Sequence, residues 1–553
     1  SECSSTLVVV PQRLSSRLDD GHKRWGVAAQ LYSTRSSGSW GMGDTQDLAD
    51  LAAIVARSGA NFLQINPLHA PQPGFPQENS PYLPVSRRWA SPLYIRPEAI
   101  DEYVHMDSKE RGVVTRYAHA SRSHEDIVDR DLSWKSKIKA LRKIFELPRS
   151  ISRQAQFERF CAQGGESLEN FALWSALVFE NGDIDLPQRY ASIGAPGVEQ
   201  ARQRLASEIE FWQWCQWIVF DQLIRAQEGA RRLGMDMGIM SDLAVGVHSK
   251  GSEIWSMPDA FAPGMSVGAP PDMYSQQGQN WAQPPWSPRS LAQMGYAPLR
   301  DMLRSVLSYA GAVRIDHILG LFRLWWIPEG MGAQAGAYVS YDHEAMVGIV
   351  LLEAQRAGAV VIGEDLGTVE PWVRGYLNDR GILGTSVLWF EKEGSGWPLW
   401  PDHYRRSCLA AVTTHDLPPT LGYLEGAHTE LRHQLGLLVE DLEQVRDADR
   451  IERERMVSRL KEGGFIHDDE PSEEELVLAM HAYLAASPAL LLAVSLVDVV
   501  GEKLPQNLPG TNAEYPNWCV PLHAFNGKEV LIDDMAHCDR VKRFLTSVDR
   551  YIR

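Results

Sequence analysis

The chain has 553 residues, a formal net charge of −17 and 44% hydrophobic residues, a composition typical of a large globular protein. The acidic balance and the lack of any Lys/Arg-rich run argue against nucleic acid as a partner. The six cysteines form no CxxC pair, which favours reduced thiols, and the apolar run SPALLLAVSLVDVV is too short to span a membrane. We therefore expect a cytoplasmic protein with no membrane partner.

Residues 1–24 precede the first predicted strand. The chain starts SECSSTLVVV without an initiator Met, and its apolar run is too short for the core of a signal peptide. We interpret 1–24 as an N-terminal extension, either a trimmed start or the remnant of an absent upstream domain. Residues 25–553 are then the catalytic domain.

Short apolar runs, rich in β-branched residues and each followed by Gly, Asp, His or Asn, recur along the chain. Near-continuous apolar strands are typical of a parallel sheet that is covered on both faces. Eight such runs begin at Trp25, Phe62, Met237, Ala312, Val360, Thr385, Leu409 and Leu491.

Helical patterns lie between these strands. Asp44 is a candidate N-cap for DTQDLADLAAIVARSG, which ends at Gly59, and DHEAMVGIVLLEAQRAG ends at Gly358. Strands that alternate with helices predict an α/β fold, a (β/α)8 TIM barrel. The segments at about 70–235 and 417–490 are too long for simple connections, and we expect large helical insertions there at the C-terminal face.

Ionisable residues gather at the predicted strand ends, where the active sites of such barrels lie. Because side chains alternate along a strand, Arg314 and Asp316 share one face, whereas Glu364 and Asp365 point in opposite directions. One carboxylate from each of three strands can therefore meet at one point. The full set at these strand ends is Asp242, Arg314, Asp316, His317, Glu364, Asp365, His415 and Asp416.

Converging carboxylates are the machinery of glycoside cleavage, which needs one ionised nucleophile and one protonated general acid. Arg314 beside Asp316 is expected to hold the pKa of the nucleophile down, while burial raises the pKa of the acid. The alternative is that these groups are ordinary salt bridges around the barrel mouth. That alternative weakens when all three carboxylates lie beside Arg or His.

Other motifs give little support for a cofactor or a metal. GMGDTQ has Gln46 where a dinucleotide-binding loop needs its third Gly, and no P-loop, GxSxG or HExxH occurs. YDHEA is more typical of a helix start than of a metal site, and no calcium-binding loop is present. We therefore expect no cofactor and no metal.

The chain has 18 Trp, 17 Tyr and 15 Phe, and many of them lie in Pro- and Gly-rich loops such as PPDMYSQQGQNWAQPPW. Aromatic faces stack on sugar rings, although such residues also simply anchor loops to a core.

Seven motifs occur together and in one order, and as a set they are specific. From about Trp25 to its end the chain resembles glycoside hydrolase family 77, the 4-α-glucanotransferases of the amylomaltase type. The motifs are NSPY at 79–82, PPD at 270–272, GQNW at 278–281, VRIDH at 313–317, GEDLG at 363–367, THD at 414–416, and NLPGT at 507–511 with NW at 517–518.

This resemblance implies that Asp316 is the nucleophile, Glu364 the general acid/base and Asp416 the transition-state stabiliser. It also implies a set of glucan-contacting residues, in which the role of Asp242 is less certain. They are Arg314, His415, Tyr82, Asp272, Tyr274, Gln279, Trp281, Asn507 and Asp242. Met273 departs from the pattern, since many relatives carry an aromatic residue at that point of the lid loop. A flexible Met offers a softer platform for a sugar ring.

The function that the resemblance implies is transfer of an α-1,4-glucan segment to the 4-hydroxyl of an acceptor. The expected partners are maltooligosaccharides and glucans derived from amylose, starch or glycogen. Two alternatives remain open: an amylase-like hydrolase with the same carboxylates, and a glucan-binding module on an inactive barrel. The presence of all three carboxylates argues against the second.

Overall fold

A computed structural model describes residues 6–122, 126–271, 277–367 and 369–552. Within these residues eight parallel strands form one sheet, and all eight coincide with the runs predicted from the sequence. In chain order they are β1 (Arg24–Ala29), β2 (Phe62–Ile65), β3 (Gly238–Leu243), β4 (Ala312–Ile315), β5 (Val360–Gly363), β6 (Gly384–Val387), β7 (Cys408–Ala411) and β8 (Leu491–Ser495).

The sheet closes on itself as a barrel. Its hydrogen-bonded order is β5-β4-β3-β2-β1-β8-β7-β6. The strands at the two ends of this order, β5 and β6, lie next to each other and close the barrel. At that junction Gly363 N donates to Leu383 O at 2.7 Å, and Leu383 N donates to Val361 O at 3.1 Å. The predicted (β/α)8 barrel is confirmed.

The strands are buried on both faces, as their apolar sequences require. Every residue of β4, β5, β6 and β7 is buried. Inside the barrel, Phe62, Met240, Ala312 and Leu491 belong to one apolar cluster. Covering both faces of a parallel sheet removes apolar surface from water on each side, which is the main driving force for this architecture.

The predicted helix boundaries agree with the structure where caps are visible. Asp44 accepts from the backbone N–H groups of Gln46 and Asp47, and Gly358 ends its helix in the left-handed conformation. The helices are Thr45–Arg57, Ser108–Ala120, Arg130–Phe145, Ile151–Asn181, Val198–Arg204, Ala206–Arg232, Ser252–Ser256, Pro288–Gln293, Ala297–Leu307, His343–Ala357, Pro371–Asp379, Thr420–Leu424, Ala427–Gln434, Leu442–Glu462, Glu473–Ala485, Leu496–Val500, Ile532–Met535 and Asp539–Ile552. Among the helices described, none has the length and apolar composition needed to cross a bilayer.

The two long connections are helical, as expected, and each leaves the barrel at the carboxyl end of a strand, β2 or β7. The last helix of the first connection, Ala206–Arg232, packs against Thr45–Arg57 of the barrel layer, where Thr45 Oγ1 donates to Gln222 Oε1 at 2.6 Å. The proposed insertion boundaries stay a prediction.

Two small antiparallel sheets were not anticipated from the sequence. One pairs His69–Ala70 with Ser86–Ala90. The other has four strands in the order Ala337–Ser340, Arg323–Pro328, Met265–Ala269 and Gln279–Gln283. Short strands within loop-rich sequence carry little periodicity, so only pairing in space identifies them.

The N-terminal residues pack on the barrel. Leu18 is 4% exposed and lies in the same apolar cluster as Phe62 and Met240. Leu14 N donates to Arg380 O at 2.8 Å, and Thr6 Oγ1 donates to Ala292 O at 2.7 Å. The interpretation of 1–24 as a remnant of an upstream domain stays a prediction.

Candidate active site

Arg314 links two of the predicted carboxylates across neighbouring strands. Asp242 on β3 pairs in register with Arg314 on β4. Arg314 Nη1 donates to both carboxylate oxygens of Asp242 at 2.8 Å, and its Nη2 lies 3.1 Å from Asp316 Oδ1. The contact with Asp316 agrees with the predicted shared strand face. Tyr82 adds a hydroxyl donor to Asp242 Oδ2 at 2.7 Å, so Asp242 holds two site residues in place.

Glu364 follows β5 and is fixed by backbone donors. Its Oε2 accepts from His317 N at 3.0 Å and its Oε1 accepts from Leu366 N at 2.7 Å. His317 has φ 45°, in the left-handed region that costs a non-Gly residue about 1–2 kcal/mol. This conformation directs the backbone N–H of His317 towards the Glu364 carboxylate. Because His317 directly follows Asp316, this hydrogen bond ties Glu364 to the backbone that carries Asp316.

Asp365 points the other way, as the strand alternation predicts. It is 1% exposed and accepts from Thr385 N at 2.8 Å. Arg405 Nη1 donates to Asp365 Oδ2 at 2.5 Å and Nη2 donates to Oδ1 at 3.1 Å. Asp365 therefore joins the ends of β5 and β6 and takes no part in the cavity.

Asp416, the third carboxylate, follows β7. Asn507 Nδ2 donates to its Oδ1 at 2.7 Å, and His415 Nε2 lies 3.3 Å from its Oδ2. The ring of Tyr82 stacks on His415 with centroids 5.2 Å apart, and both rings contact Trp518. The aromatic contacts fix His415 beside the carboxylate.

The electrostatics of the three carboxyl groups differ. Burial raises the pKa of Asp316 to about 6 and also raises the pKa of Glu364. For Asp416, burial also acts upward, but His415 and Asn507 outweigh it and lower the pKa to about 2. Burial alone would lower the pKa of His415, whereas the Asp416 carboxylate raises it.

Arg314 acts to lower the pKa of Asp316, as expected, but the net pKa of Asp316 is raised. Burial and the carboxylates of Asp242 and Glu364 outweigh the guanidinium. Arg314 shares its charge with Asp242, which explains why its effect on Asp316 is incomplete.

The three carboxylates line one open cavity at the carboxyl ends of the strands. Its wall alternates apolar and polar groups, as a ligand site in a barrel requires. Predicted site residues on the wall are Asp242, Arg314, Asp316, Glu364, His415 and Asp416. The structure thus brings these six predicted residues together.

The predicted glucan-contact residues fall in three groups. Tyr82 and Asn507 hold Asp242 and Asp416, as described above. Gln279 and Trp281 lie on an edge strand of the four-stranded sheet, and the Trp281 ring is 5.5 Å from the His317 ring. Gln279 Oε1 accepts from Trp281 Nε1 at 2.9 Å. The predictions for Asp272, Met273 and Tyr274 lie outside the described residues.

Phe390 was missed by the sequence reasoning. It is 47% exposed and lines the catalytic cavity, where an exposed ring offers a face to a sugar. The signal was available, because Phe390 follows β6 in VLWFE, at the strand end where active-site residues gather. Conversely, several Trp side chains are fully buried and simply form the core, namely Trp25, Trp40, Trp134, Trp174, Trp212 and Trp214.

The described residues contain no group of three or more His, Cys, Asp or Glu side chains arranged to hold a metal ion. The prediction of a metal-free site stays a prediction. The arrangement can perform acid–base and nucleophilic chemistry with its own carboxylates.

Comparison with known proteins decides the family. The family model for glycoside hydrolase family 77, described as 4-alpha-glucanotransferase, matches residues 29–526. The chain belongs to this family. The family assignment makes it a transferase that acts on α-1,4-glucans, and the resemblance stated from the motifs is confirmed.

Family relatives cover nearly the whole chain. The 4-alpha-glucanotransferase of Mycobacterium tuberculosis is 48% identical over 97% of this chain and 76% of its own length. That of Haemophilus influenzae is 35% identical over 91% of this chain and 76% of its own length.

Solved structures agree on the fold. The amylomaltase from Corynebacterium glutamicum superposes with a TM-score of 0.91 at 43% identity, over 98% of this chain and 77% of that one. The amylomaltase from Streptococcus agalactiae, solved with acarbose, has a TM-score of 0.75 at 17% identity over 96% and 99% of the two chains, which supports the fold alone.

Proposed function

We propose that the protein transfers α-1,4-glucan segments by a retaining double displacement through a covalent glucosyl-enzyme. The donors and acceptors are maltooligosaccharides and amylose-, starch- or glycogen-derived glucans. The observation that carries this proposal is the placement of Asp316 and Glu364 on one cavity wall, joined through the His317 backbone.

In the first step, Asp316 attacks the anomeric carbon of the donor while Glu364 gives its proton to the departing glycosidic oxygen. An ester to Asp316 forms and the glycosidic bond breaks, so the leaving chain carries a new 4-hydroxyl. The raised pKa of Glu364 favours the protonated form that this step requires. Arg314, 3.1 Å from Asp316, favours the ionised nucleophile.

In the second step, Glu364 acts as a base and removes the proton from the 4-hydroxyl of an acceptor glucan. That oxygen attacks the anomeric carbon, the ester to Asp316 breaks, and a new α-1,4 bond forms. Two inversions at one carbon retain the configuration. The scheme requires the two carboxyl groups to lie about 5–5.5 Å apart, which a glucan-bound crystal structure would measure.

Asp416, held ionised and oriented by Asn507 and His415, is assigned to the glucose unit at the cleavage point. A fixed carboxylate that hydrogen-bonds sugar hydroxyls and faces developing positive charge stabilises an oxocarbenium-like transition state. Asp242 acts through Arg314 and Tyr82, and we assign it a positioning role.

Transfer requires an acceptor sugar to reach the intermediate before water does. Ring faces and hydroxyl-binding groups around the cavity raise the local acceptor concentration, which is a proximity effect. Trp281 beside His317, and Phe390 on the cavity wall, are the described residues that we assign to this task.

Incubation of the purified protein with maltotriose alone tests the proposal. Transfer produces longer maltooligosaccharides together with glucose, and the number of reducing ends stays nearly constant. Accumulation of glucose and maltose without longer chains would replace transfer by hydrolysis with the same carboxylates. An unchanged substrate would support the inactive glucan-binding module instead.

A further inference from the structure

A second open cavity lies apart from the catalytic one. Its walls come from the ends of the strands Arg323–Pro328 and Ala337–Ser340, and from the first residues of the helices His343–Ala357 and Pro371–Asp379. We call it the Trp372 cavity. It lies beside the edge strand Ala337–Ser340, whereas Trp281 belongs to the opposite edge strand of the same four-stranded sheet.

Aromatic rings in fixed positions line this cavity. Trp372 is 50% exposed, and its indole Nε1 donates to Glu370 Oε2 at 2.9 Å. The Phe322 ring packs edge-on against Trp372 at 5.6 Å, and His343 stacks on Phe322 at 5.2 Å. A half-exposed Trp that is already oriented loses little side-chain entropy when a flat apolar ligand surface covers it.

The polar groups of the cavity are balanced in charge. Arg323 Nη1 lies 2.8 Å from Glu370 Oε1, and the two side chains are 30% and 42% exposed. Because the cation and the anion offset each other, the cavity favours neither an anionic nor a cationic ligand. Both groups keep hydrogen-bonding capacity towards a neutral polyhydroxy compound.

The sequence places the Trp372 cavity close to the catalytic cavity. Its residues Phe322 and Glu370 each follow a catalytic carboxylate by six residues, Asp316 and Glu364 respectively. Six extended residues span at most about 20 Å, so both cavities lie within reach of one oligosaccharide chain.

We propose that the Trp372 cavity is a remote α-glucan-binding subsite that holds a distal part of a long donor or acceptor chain. This inference rests on the proposed glucan transfer. Ring faces with a neutral hydrogen-bonding edge fit the apolar faces and the hydroxyl rim of a pyranose, as in the catalytic cavity. Long chains gain affinity from two sites at once, whereas maltotriose occupies the catalytic cavity alone.

The test compares two substrates and two variants. Trp372→Ala removes the platform, and Ser340→Trp fills the cavity from an exposed edge-strand position while Trp372 itself is kept. We expect each variant to raise the apparent KM for amylose roughly five- to tenfold, the effect of removing a well-ordered contact residue. The kcat and KM for maltotriose should stay within about twofold of the parent.

Matched controls are Phe525→Ala and Tyr551→Ala, which remove exposed rings elsewhere (58% and 44% exposed). If Ser340→Trp has the same amylose KM as the control variants, the proposal is overturned. This holds even if Trp372→Ala misfolds. Equal losses on amylose and maltotriose also overturn it, because they indicate support of the catalytic loop.

Native gels that contain amylose separate the two proposals. Weaker retardation of Ser340→Trp than of the parent supports the subsite, whether or not maltotriose is converted. Equal retardation of the two proteins rejects it. A parent protein that does not convert maltotriose contradicts only the proposed transfer.

Discussion

At the scale of the residue, one guanidinium serves two carboxylates. Arg314 contacts Asp242 through Nη1 and Asp316 through Nη2. A cation divided in this way lowers the pKa of Asp316 less than an undivided one would. Burial therefore prevails at Asp316 and raises its pKa to about 6, which is the pKa that the proposed nucleophilic attack would depend on.

Replacing Asp316 by Ala removes the proposed nucleophile. We expect kcat for maltotriose disproportionation to fall by roughly 10⁴–10⁶-fold, the range seen when a covalent nucleophile is lost, with amylose binding largely retained. Product chromatography and amylose-gel retardation measure the two quantities. Asp259→Ala, at an exposed position, is the control. Near-normal turnover in Asp316→Ala would make the assignment of the nucleophile wrong.

Asp242→Asn should change the pH profile of the reaction. The Asp242 carboxylate raises the pKa of Asp316, so removing its charge lowers that pKa and leaves Arg314 to Asp316. Attack needs ionised Asp316, and the acidic limb of kcat/KM, expected near pH 6 in the parent, should therefore move to lower pH. Because Asp316 and Glu364 interact, the limb reports their pair.

The measurement for Asp242→Asn is kcat/KM for maltotriose between about pH 4 and pH 9. A lower rate at every pH with an unmoved acidic limb would show that Asp242 acts only on geometry. A limb that moves upward would contradict the electrostatic role.

At the scale of the element, the junction between β5 and β6 is the weakest part of the sheet ladder. Among the described parts of the chain, the only bridge at this junction joins Ile362 of β5 to Leu383, the residue just before β6. Asp365 compensates by accepting from Thr385 N and from Arg405, which also donates to Thr385 O. The residue next to Glu364, the proposed acid/base, therefore closes the barrel.

Asp365→Asn tests this role. The amide keeps the shape but loses the charge that Arg405 requires, so we expect the free energy of unfolding to fall by roughly 2–4 kcal/mol. The position of the neighbouring Glu364 side chain should also shift, and we expect kcat to fall about ten- to hundredfold as a result. Urea unfolding and maltotriose kinetics measure both, with Asp259→Asn as the surface control. Unchanged stability would remove Asp365 from barrel closure.

At the scale of the whole molecule, residues before β1 complete the core inside the barrel. Leu18 is 4% exposed and packs among strand residues such as Ala312 and Val360. The catalytic carboxylates follow the opposite, carboxyl ends of the same strands. Stability and catalysis are thus separated along the barrel axis, as in other (β/α)8 barrels.

Leu18→Ala should lower the free energy of unfolding by roughly 2–4 kcal/mol, because the truncated side chain leaves a cavity in packed core. We expect kcat for maltotriose to stay near that of the parent. Leu7→Ala is the matched control, since Leu7 is 86% exposed. Equal stability of the two variants would show that the N-terminal residues do not support the barrel.

The sequence by itself determined the barrel and its three carboxylates. Eight apolar runs of strand length can be buried only in a sheet covered on both faces, and strand alternation placed Arg314 beside Asp316 and turned Asp365 away. The apolar runs and the alternation of side chains depend only on residues close together in the chain, so they can be predicted from a single sequence.

Only the tertiary structure decided what depends on partners distant in the chain. Asp242 and Arg314 are 72 residues apart, and their pairing divides the Arg314 cation between Asp242 and Asp316. The four-stranded sheet, Phe390 on the cavity wall and the packing of Leu18 inside the barrel likewise arise from contacts in space. The pKa of a buried group depends on every group that surrounds it in space, and a local sequence pattern does not identify groups that are distant in the chain.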